Sequence, residues 1–537
     1  MRARRDIRLR RRQLIRSTIV SAATASIFRP SLVRSASAAT LTFVPYADLA
    51  LTDPLASALV TRNHVLMVFD TLFALDELGM PQHQMLAGHT VDSDALVWTL
   101  TLRDGLWFHD GAPVLARDVV ASLRRWSTRD AMGDALMAAT DELSARDDKT
   151  IVFRLKRPFP MLPAALAKPT NLVPAIMPEH LASRPTDKLL TEVIGSGPFR
   201  FVTDERVSGA RNVYAKFEKY VPRDGLASFC AGGRVTHFDR VVWQTIPDPS
   251  TQAAALHNGE VDWVEQPVMD LVPTLKADRQ LKVEVLETPG LIGTLRFNQL
   301  FPPFDNARIR RAVLRAVNQR DFMTAVAGEG DSTLINDHVG YFAPSSVFAS
   351  DAGMDVFSPN PDIAALRKEI LAAGYKGEKV VFLGAADVPR ISAICQVGAD
   401  MLTRLGMNVD YQSLDWGTIV QRGLRQNAIS EGGWSIFGSM TGGLDWDNPA
   451  CSPALRGTGT AATNGWAKAP KLEDLRDRWL RAPDLASQKT LAAEVQRQAF
   501  IDVPMLPLGL YYQPAAFRSD LTGMLKGLNL FTGVRRS

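Results

Sequence analysis

Cysteine is scarce in this chain. Three occur in 537 residues, Cys230, Cys395 and Cys451, far apart and in no CxxC arrangement. An odd number leaves at least one unpaired, which excludes a disulfide scaffold and leaves open whether two of them pair in an oxidising compartment. The eight histidines, His64, His83, His89, His109, His180, His237, His257 and His338, form no HxH, no HExxH and no i,i+4 pair. No local zinc motif therefore exists, and no metal or other cofactor is expected. There is no GxSxG, and Gly195-Ser196-Gly197 is one residue too tight for a nucleophile elbow. No Gly-Lys-Ser/Thr closes a phosphate loop. The stretch GTGTAA, Gly457 to Ala462, matches a dinucleotide pattern but follows no strand and opens no helix, so it reads as a loop. These absences remove every strong local motif for catalysis, and leave only an enzyme assembled from distant residues.

Long apolar runs are missing too. The modest run Ser17 to Phe28 is too short for a bilayer, where about 20 apolar residues are needed. It follows a basic head: residues 1–38 hold ten arginines and one acid, a net +9, so the total of +4 leaves −5 for the remainder. A mildly acidic body gives no nucleic-acid footprint. The head reads as an export signal over residues 1–38. Arg11-Arg12 precede Leu14-Ile15 in a pattern resembling twin-arginine signals, and SASAAT offers a small-residue cleavage site after Ala38. Release into the periplasm is the expectation.

What is present is ordinary globular material, 46% apolar and 22% charged, in a chain long enough for two or more lobes. The stretch WTLTLRDGLWFHDGAPVLARDVVASLRRW, Trp98 to Trp126, sets His109 beside Asp110. Trp98 to Leu102 alternates as a half-buried strand, Asp104-Gly105 turns, and Leu106 to Phe108 starts a second short strand ended by Asp110-Gly111. Neighbours on an extended chain point to opposite faces, so FHDG reads as a turn and not as a His/Asp site. Asp118 caps a following helix that places Val119, Val120, Leu123 and Trp126 on one face, with Arg124 and Arg125 off it. Further on, THFDRVVWQTIPDPSTQAAALHNGEVDWVE reads strand, helix, strand, with Gly259 ending the helix. NARIRRAVLRAVNQRDFM is an amphipathic helix with Ile309, Ala312, Val313, Ala316 and Val317 on its stripe. Two further helix–strand units stop at Gly374 and Gly406. Alternating strands and helices without one long sheet point to an α/β protein of two lobes.

Seven stretches, YADLALTDP, FDTLFALDELGMPQ, the Trp98–Trp126 segment, IGSGPFRF, ALHNGEVDWVE, FNQLFPPFDNARIRRAVLRAVNQRDF and LDWDNP, resemble in order the extracytoplasmic solute-binding proteins of peptide and nickel ABC importers. The resemblance runs from about residue 41 to the C-terminus. It implies a periplasmic-binding-protein-like two-lobe fold with an inserted domain and one interlobe cleft. A first domain would comprise residues 39–70, 195–293 and 510–537, an insert 71–194, and the opposing lobe 294–509, with crossings near Thr294 and Gly509. The implied function is capture of a peptide or peptide-like amine for a membrane permease with cytosolic ATPases, by a monomer without catalysis. A nickel chelate or haem ligand is disfavoured by the lack of a His/Cys cluster. The rival of another class is a secreted hydrolase or transferase acting on small amides.

By the same resemblance, Asp445 of LDWDNP anchors the ligand's ammonium group beside Trp446, with Asp447 as its neighbouring substitute. A cleft carboxylate suits that task, because desolvation strengthens a charge-assisted hydrogen bond. Family members often carry a tryptophan shortly before the aspartate, where SMTGGLDWD has Met440 and extra glycines. Trp434 and Trp416 are the nearest aromatic substitutes. The ligand is thus a dipeptide, a longer peptide, an opine-like conjugate or another small amine. Arg422 and Arg425 are candidates for a carboxylate partner by proximity only. Asp53, Phe297 and Asn298 lie where cleft and packing roles meet.

Overall fold

The computed structural model describes residues 39–461 and 464–537. The export signal expected over residues 1–38 and Ala462 of GTGTAA lie outside the described residues. Three sheets organise the rest. A seven-stranded sheet runs Leu281–Val285, Pro514–Arg518, Trp263–Val264, Thr40–Val44, Arg240–Gln244, Arg211–Lys216, Phe199–Phe201. Its alternating apolar residues meet in a ring cluster, where Phe43 lies 5.0 Å from both Trp263 and Phe531 and 5.5 Å from Trp243. A four-stranded antiparallel sheet, Leu86–Val91, Val97–Leu102, Thr150–Leu155, Thr140–Ala145, carries the helices Ala116–Ser127 and Ala131–Ala139.

The third sheet has six strands, in the order Ile335–Asn336, Met505–Tyr511, Leu291–Phe297, Ile436–Gly442, Lys379–Ala385, Asn408–Leu414. All seven residues of Leu291–Phe297 are buried, as a strand covered on both faces requires. The chain passes from the first sheet to this one between Val285 and Leu291, and returns between Tyr511 and Pro514. The passages expected near Thr294 and Gly509 therefore fall a few residues outside those positions, which sit within paired strands.

Local readings hold in most places and fail where side chains compete for the backbone. The stripe from Ile309 to Val317 is buried, but the expected single helix is two, Ala307–Arg315 and Gln319–Ala327. Asn318 breaks it by accepting from the Arg320 amide and capping the second helix. Asp118 serves its helix from inside the first turn, accepting from the Leu115 amide at 2.8 Å. Arg125 is not on the solvent face. It is buried and donates to Asp53 at 2.8 Å.

The FHDG segment forms no second strand. Trp107 makes one isolated bridge to Pro113, and Phe108 donates to Ala112 across the turn. His109 Nε2 donates to the Gly197 carbonyl at 3.0 Å, and its Nδ1 accepts from the Gly195 amide at 3.3 Å. A neutral imidazole thus staples the FHDG turn to the Gly-Ser-Gly turn, whose Gly197 amide donates at 2.8 Å to the Val68 carbonyl at the end of the helix Leu59–Val68. A Cβ on Gly195 would lie 2.0 Å from the Val68 carbonyl oxygen, so only glycine fits there.

Candidate ligand site

A cavity of about 1130 Å³ opens among the three sheet regions, somewhat above the roughly 300–1,000 Å³ of pockets for drug-sized ligands. Phe73, Leu75, Met161 and Lys168 line it from the four-stranded region, and Phe229, Pro289, Met524 and Leu525 from the seven-stranded region. Phe348, Leu444, Asp447, Asn448 and Cys451 line it from the six-stranded region. Most of this surface is apolar, with its polar groups gathered in a few places.

The loop after strand Ile436–Gly442 carries the acids. Gly443 presses on the passage between sheets, where a Cβ would stand 1.9 Å from the Pro289 carbonyl oxygen, and its amide donates to Gly290 at 2.8 Å. The extra glycines before LDWDNP therefore let the loop abut the crossing segment. Space beside Gly442 is bounded by Asp445 and by the Arg62 guanidinium. Asp445 Oδ2 accepts from Asn171 Nδ2 at 3.2 Å, which brings a carboxylate of the six-stranded region against the segment that follows the helix Leu162–Ala167. Burial pushes the Asp445 carboxyl above its ordinary range, against the pull of Arg62 and Lys168. Burial opposes the charge on Arg62, yet Glu287, Asp445 and Glu265 outweigh it and hold that guanidinium firmly protonated. Arg62 donates to Glu287 at 2.9 Å, and Lys168 donates to Asp130 and to the Asn171 carbonyl. The Oδ1 atom of Asn171 is buried and has no hydrogen-bond partner among the described residues. A carboxylate short of donors thus adjoins an amide whose oxygen lacks one, an arrangement suited to a cation with several N–H groups.

Asp447 is half-buried and lines the cavity. Burial raises its pKa, offset only by the Asn448 amide, which donates to it at 3.3 Å. Of the other expected residues, Met440 is half-buried opposite Gly293, two positions before Gly442. Trp446 is fully buried, stacked on Tyr341 at 6.2 Å, with its indole N–H donating to Thr441 at 2.7 Å. Trp434 does not line the cavity; it is enclosed by Phe437 and Trp466 at 5.0 and 5.8 Å in the lobe's interior. Trp416 starts the helix Trp416–Gly423, its amide bonded to Asp387, and it too lies away from the cavity lining.

Arg422 is engaged by the carbonyls of Gly432 and Gly433 and by Gln412, while Arg425 is exposed. Asp53 is a clamp, holding Arg125 and the amides of Leu55 and Leu190. Asn298 bonds the Trp434 carbonyl, and Phe297 packs on Phe304 at 4.5 Å. The three cysteines are free, two of them buried. Among the described residues, no group of three or more His, Cys, Asp or Glu could hold a metal ion, and no helix is long and apolar enough to cross a membrane. Arg62, Lys168 and Asn171 escaped the sequence reading, although a polar Arg62-Asn63-His64 run inside an apolar helix is a signal of buried pairing.

A two-lobe α/β fold with one cleft of this construction defines the class of extracytoplasmic solute receptors. Residues 81–462 match the bacterial extracellular solute-binding proteins, family 5 Middle, and the chain belongs to that family. It is 36% identical over 521 residues to the probable peptide ABC transporter periplasmic-binding protein y4tO of Sinorhizobium fredii, covering 96% of this chain and 97% of that one. The fold matches the agropinic acid complex of the binding protein AgaA from A. tumefacien R10 with a TM-score of 0.77 at 21% identity, covering 93% of this chain and 99% of the other. It matches DppA of Helicobacter pylori in complex with the peptide STSA at 0.75, also at 21% identity, covering 93% and 98%. The chain is a homologue of peptide ABC transporter periplasmic-binding proteins, and the hydrolase alternative finds no support among these relatives.

Proposed function

We propose that this chain captures a peptide or peptide-like amine between its lobes and hands it, chemically unchanged, to a membrane permease served by cytosolic ATPases. The leader over residues 1–38 delivers it to the periplasm, where it works as a monomer. The ligand's ammonium group sits at Asp445, sharing its donors between that carboxylate and Asn171 Oδ1, with Asp447 and Met440 contributing to the surrounding wall and Trp446 backing it. The observation that carries this reading is the unpartnered Asn171 oxygen beside a desolvated, under-paired Asp445. The first domain takes residues 39–70, 195–285 and 514–537, the insert 71–194 and the opposing lobe 291–511, so that ligand draws two lobes together and the permease reads the closed state.

The test is a thermal-shift screen with di- to pentapeptides, their N-acetylated forms, opine-like conjugates and nickel chelates. A ligand at about 100 times its dissociation constant adds about 2.7 kcal/mol to the folded state. Shifts confined to ligands with a free amino group support the reading. Equal shifts from N-acetylated peptides remove the ammonium anchor, and a hydrolysed ligand recovered from the mixture removes the receptor role.

A further inference from the structure

The Asp445 loop lies beside a buried cation that does not bond it. Arg62 stands on the helix Leu59–Val68 with its side chain enclosed. Its Nη2 atom donates to Glu287 Oε1 at 2.9 Å, and Nε and Nη2 both donate to Asn63 Oδ1, at 3.3 and 3.1 Å. Asn63 is fixed in turn, its Nδ2 donating to Glu265 Oε1 at 3.0 Å. Glu265 also accepts from the Tyr46 amide and from Asn529, so segments far apart in sequence brace the support of one guanidinium.

The remaining nitrogen, Nη1, faces the loop. A Cβ on Gly442 would stand 3.8 Å from Arg62 Nη1 and 3.6 Å from Asp445 Oδ2, so the two groups flank one glycine. Among the described residues no hydrogen bond or ion pair joins them, and Asp445 accepts from Asn171 alone. The other charges facing Asp445 are Lys168 and Glu287. Lys168 is engaged by Asp130 and by the Asn171 carbonyl, and Glu287 by Arg62. Burial is the strongest influence on the Asp445 carboxyl and favours its neutral form. Arg62 and then Lys168 oppose burial, and the push of Glu287 is weaker than either.

Three arrangements of such a cation are conceivable, and they differ in outcome. A direct Arg62–Asp445 pair would satisfy the acid and close the anchor. With no cation, burial would protonate the carboxyl, and an ammonium group would lose its counter-charge. A cation tied to other partners, one step away, does neither. We propose that Arg62 is the positioning residue of the amine anchor: tethered to Glu287 and Asn63, it keeps Asp445 charged while leaving its oxygens free for an incoming ammonium group. This rests on the receptor reading above and adds what prepares its anchor between ligands. The same charge repels the ammonium it makes room for, so the anchor is ready without being tight, which suits release.

The test first reads the anchor without any ligand. The purified chain, labelled with carbon-13 at aspartate carboxyls, is titrated by NMR, with Asp445→Asn identifying the Asp445 signal. In Arg62→Gln that signal should titrate at higher pH than in wild type, and Arg62→Lys, which keeps the charge, should restore most of the difference. Glu287→Gln should move it to lower pH, since a freed guanidinium can close on Asp445. An unchanged or lowered titration in Arg62→Gln overturns the proposal, and so does a raised one that Arg62→Lys fails to restore. Should Arg62→Gln not fold, Glu287→Gln decides alone: a fall upholds the assignment, and no fall overturns it. Calorimetry with Ala-Leu-Ala gives the second readout. Arg62→Gln should bind it about tenfold more weakly than wild type near pH 5.5, and equally or more tightly near pH 8. A loss of equal size at both pH values marks a purely structural role and overturns the proposal. If wild type binds neither Ala-Leu-Ala nor Ala-Leu-Ala-Leu, the peptide reading falls, while the carboxyl titration still decides the role of Arg62.

Discussion

Asp53 and Asp445 are both aspartates turned into the protein, and they differ in what surrounds them. Asp53 accepts from Arg125 and from two backbone amides, and its side chain is wholly enclosed. Asp70 is similar, receiving Arg234 at 2.8 Å, the Tyr220 hydroxyl at 3.2 Å and the Thr71 amide. Asp445 and Asp447 each receive one amide side chain among the described residues, and burial pushes both carboxyls upward. The first pair completes its hydrogen bonding within the chain and joins segments far apart in sequence. The second leaves capacity unused, Asp447 at the wall of the cavity and Asp445 two residues before it, behind the lining. An acid whose needs are met inside the protein holds the fold; one whose needs are not met is available to something from outside.

Breaking a completed acid should have the largest effect. Arg125→Met leaves Asp53 charged and enclosed, and should cost about 3–5 kcal/mol, read as a lowered urea midpoint with ligand affinity per folded molecule retained. A loss below about 1 kcal/mol would place Asp53 in the same category as the cavity acids.

Acid titration should come next, through two buried histidines that are neutral in the folded protein. Burial lowers the pKa of His109 to about 4 and of His64 to about 3. Their folded values lie below the unfolded value of 6.5, so the unfolded chain binds more protons and stability falls as pH drops from 6.5 towards those folded values. At about pH 5 each contributes a loss of about 2 kcal/mol. His109→Gln should flatten the pH dependence of the urea midpoint between pH 7 and pH 5, and an unchanged slope would remove the staple.

The incomplete acids should respond in ligand affinity. Asp445→Asn keeps the shape and deletes the counter-charge, and should weaken an amine ligand by about tenfold while leaving the ligand-free midpoint unchanged or higher. Unchanged affinity takes Asp445 out of the site. The smallest effect belongs to Asp447→Asn without ligand. A folded pKa above the ordinary 3.8 means that ionisation costs stability once pH has risen through that window. The variant should therefore be more stable than wild type at pH 7, by under about 1 kcal/mol, and equal to it near pH 3.

Much of this was legible before any coordinates. Period-two and helical patterns located most strands and helices, and glycines with positive φ sit where helix stops were read, at Gly259, Gly374 and Gly406. FHDG read correctly as a turn because extended geometry keeps adjacent side chains apart. Its staple was not legible, since the Gly-Ser-Gly partner lies 86 residues away. The Asp445 loop came from a local motif, but Arg62, Lys168 and Asn171 reach it from segments hundreds of residues distant, and no short-range pattern records that meeting. Arg125 and Trp434 were misplaced for a shared reason. A side chain's character predicts its preferred environment, and a single partner, Asp53 for one and a ring cluster for the other, decides the outcome.

Trp446 has a consequence of another kind. Its ring lies flat against Tyr341 and its N–H is fixed on Thr441, so the indole is held in one orientation with an acid on either side in sequence. Any cation arriving at Asp445, or any proton gained or lost at Asp447, alters the electric field along that fixed ring. Indole emission wavelength follows such a field. The loop therefore contains its own spectroscopic probe, one of ten tryptophans in the chain, and its share of the emission is the part that Trp446→Phe removes.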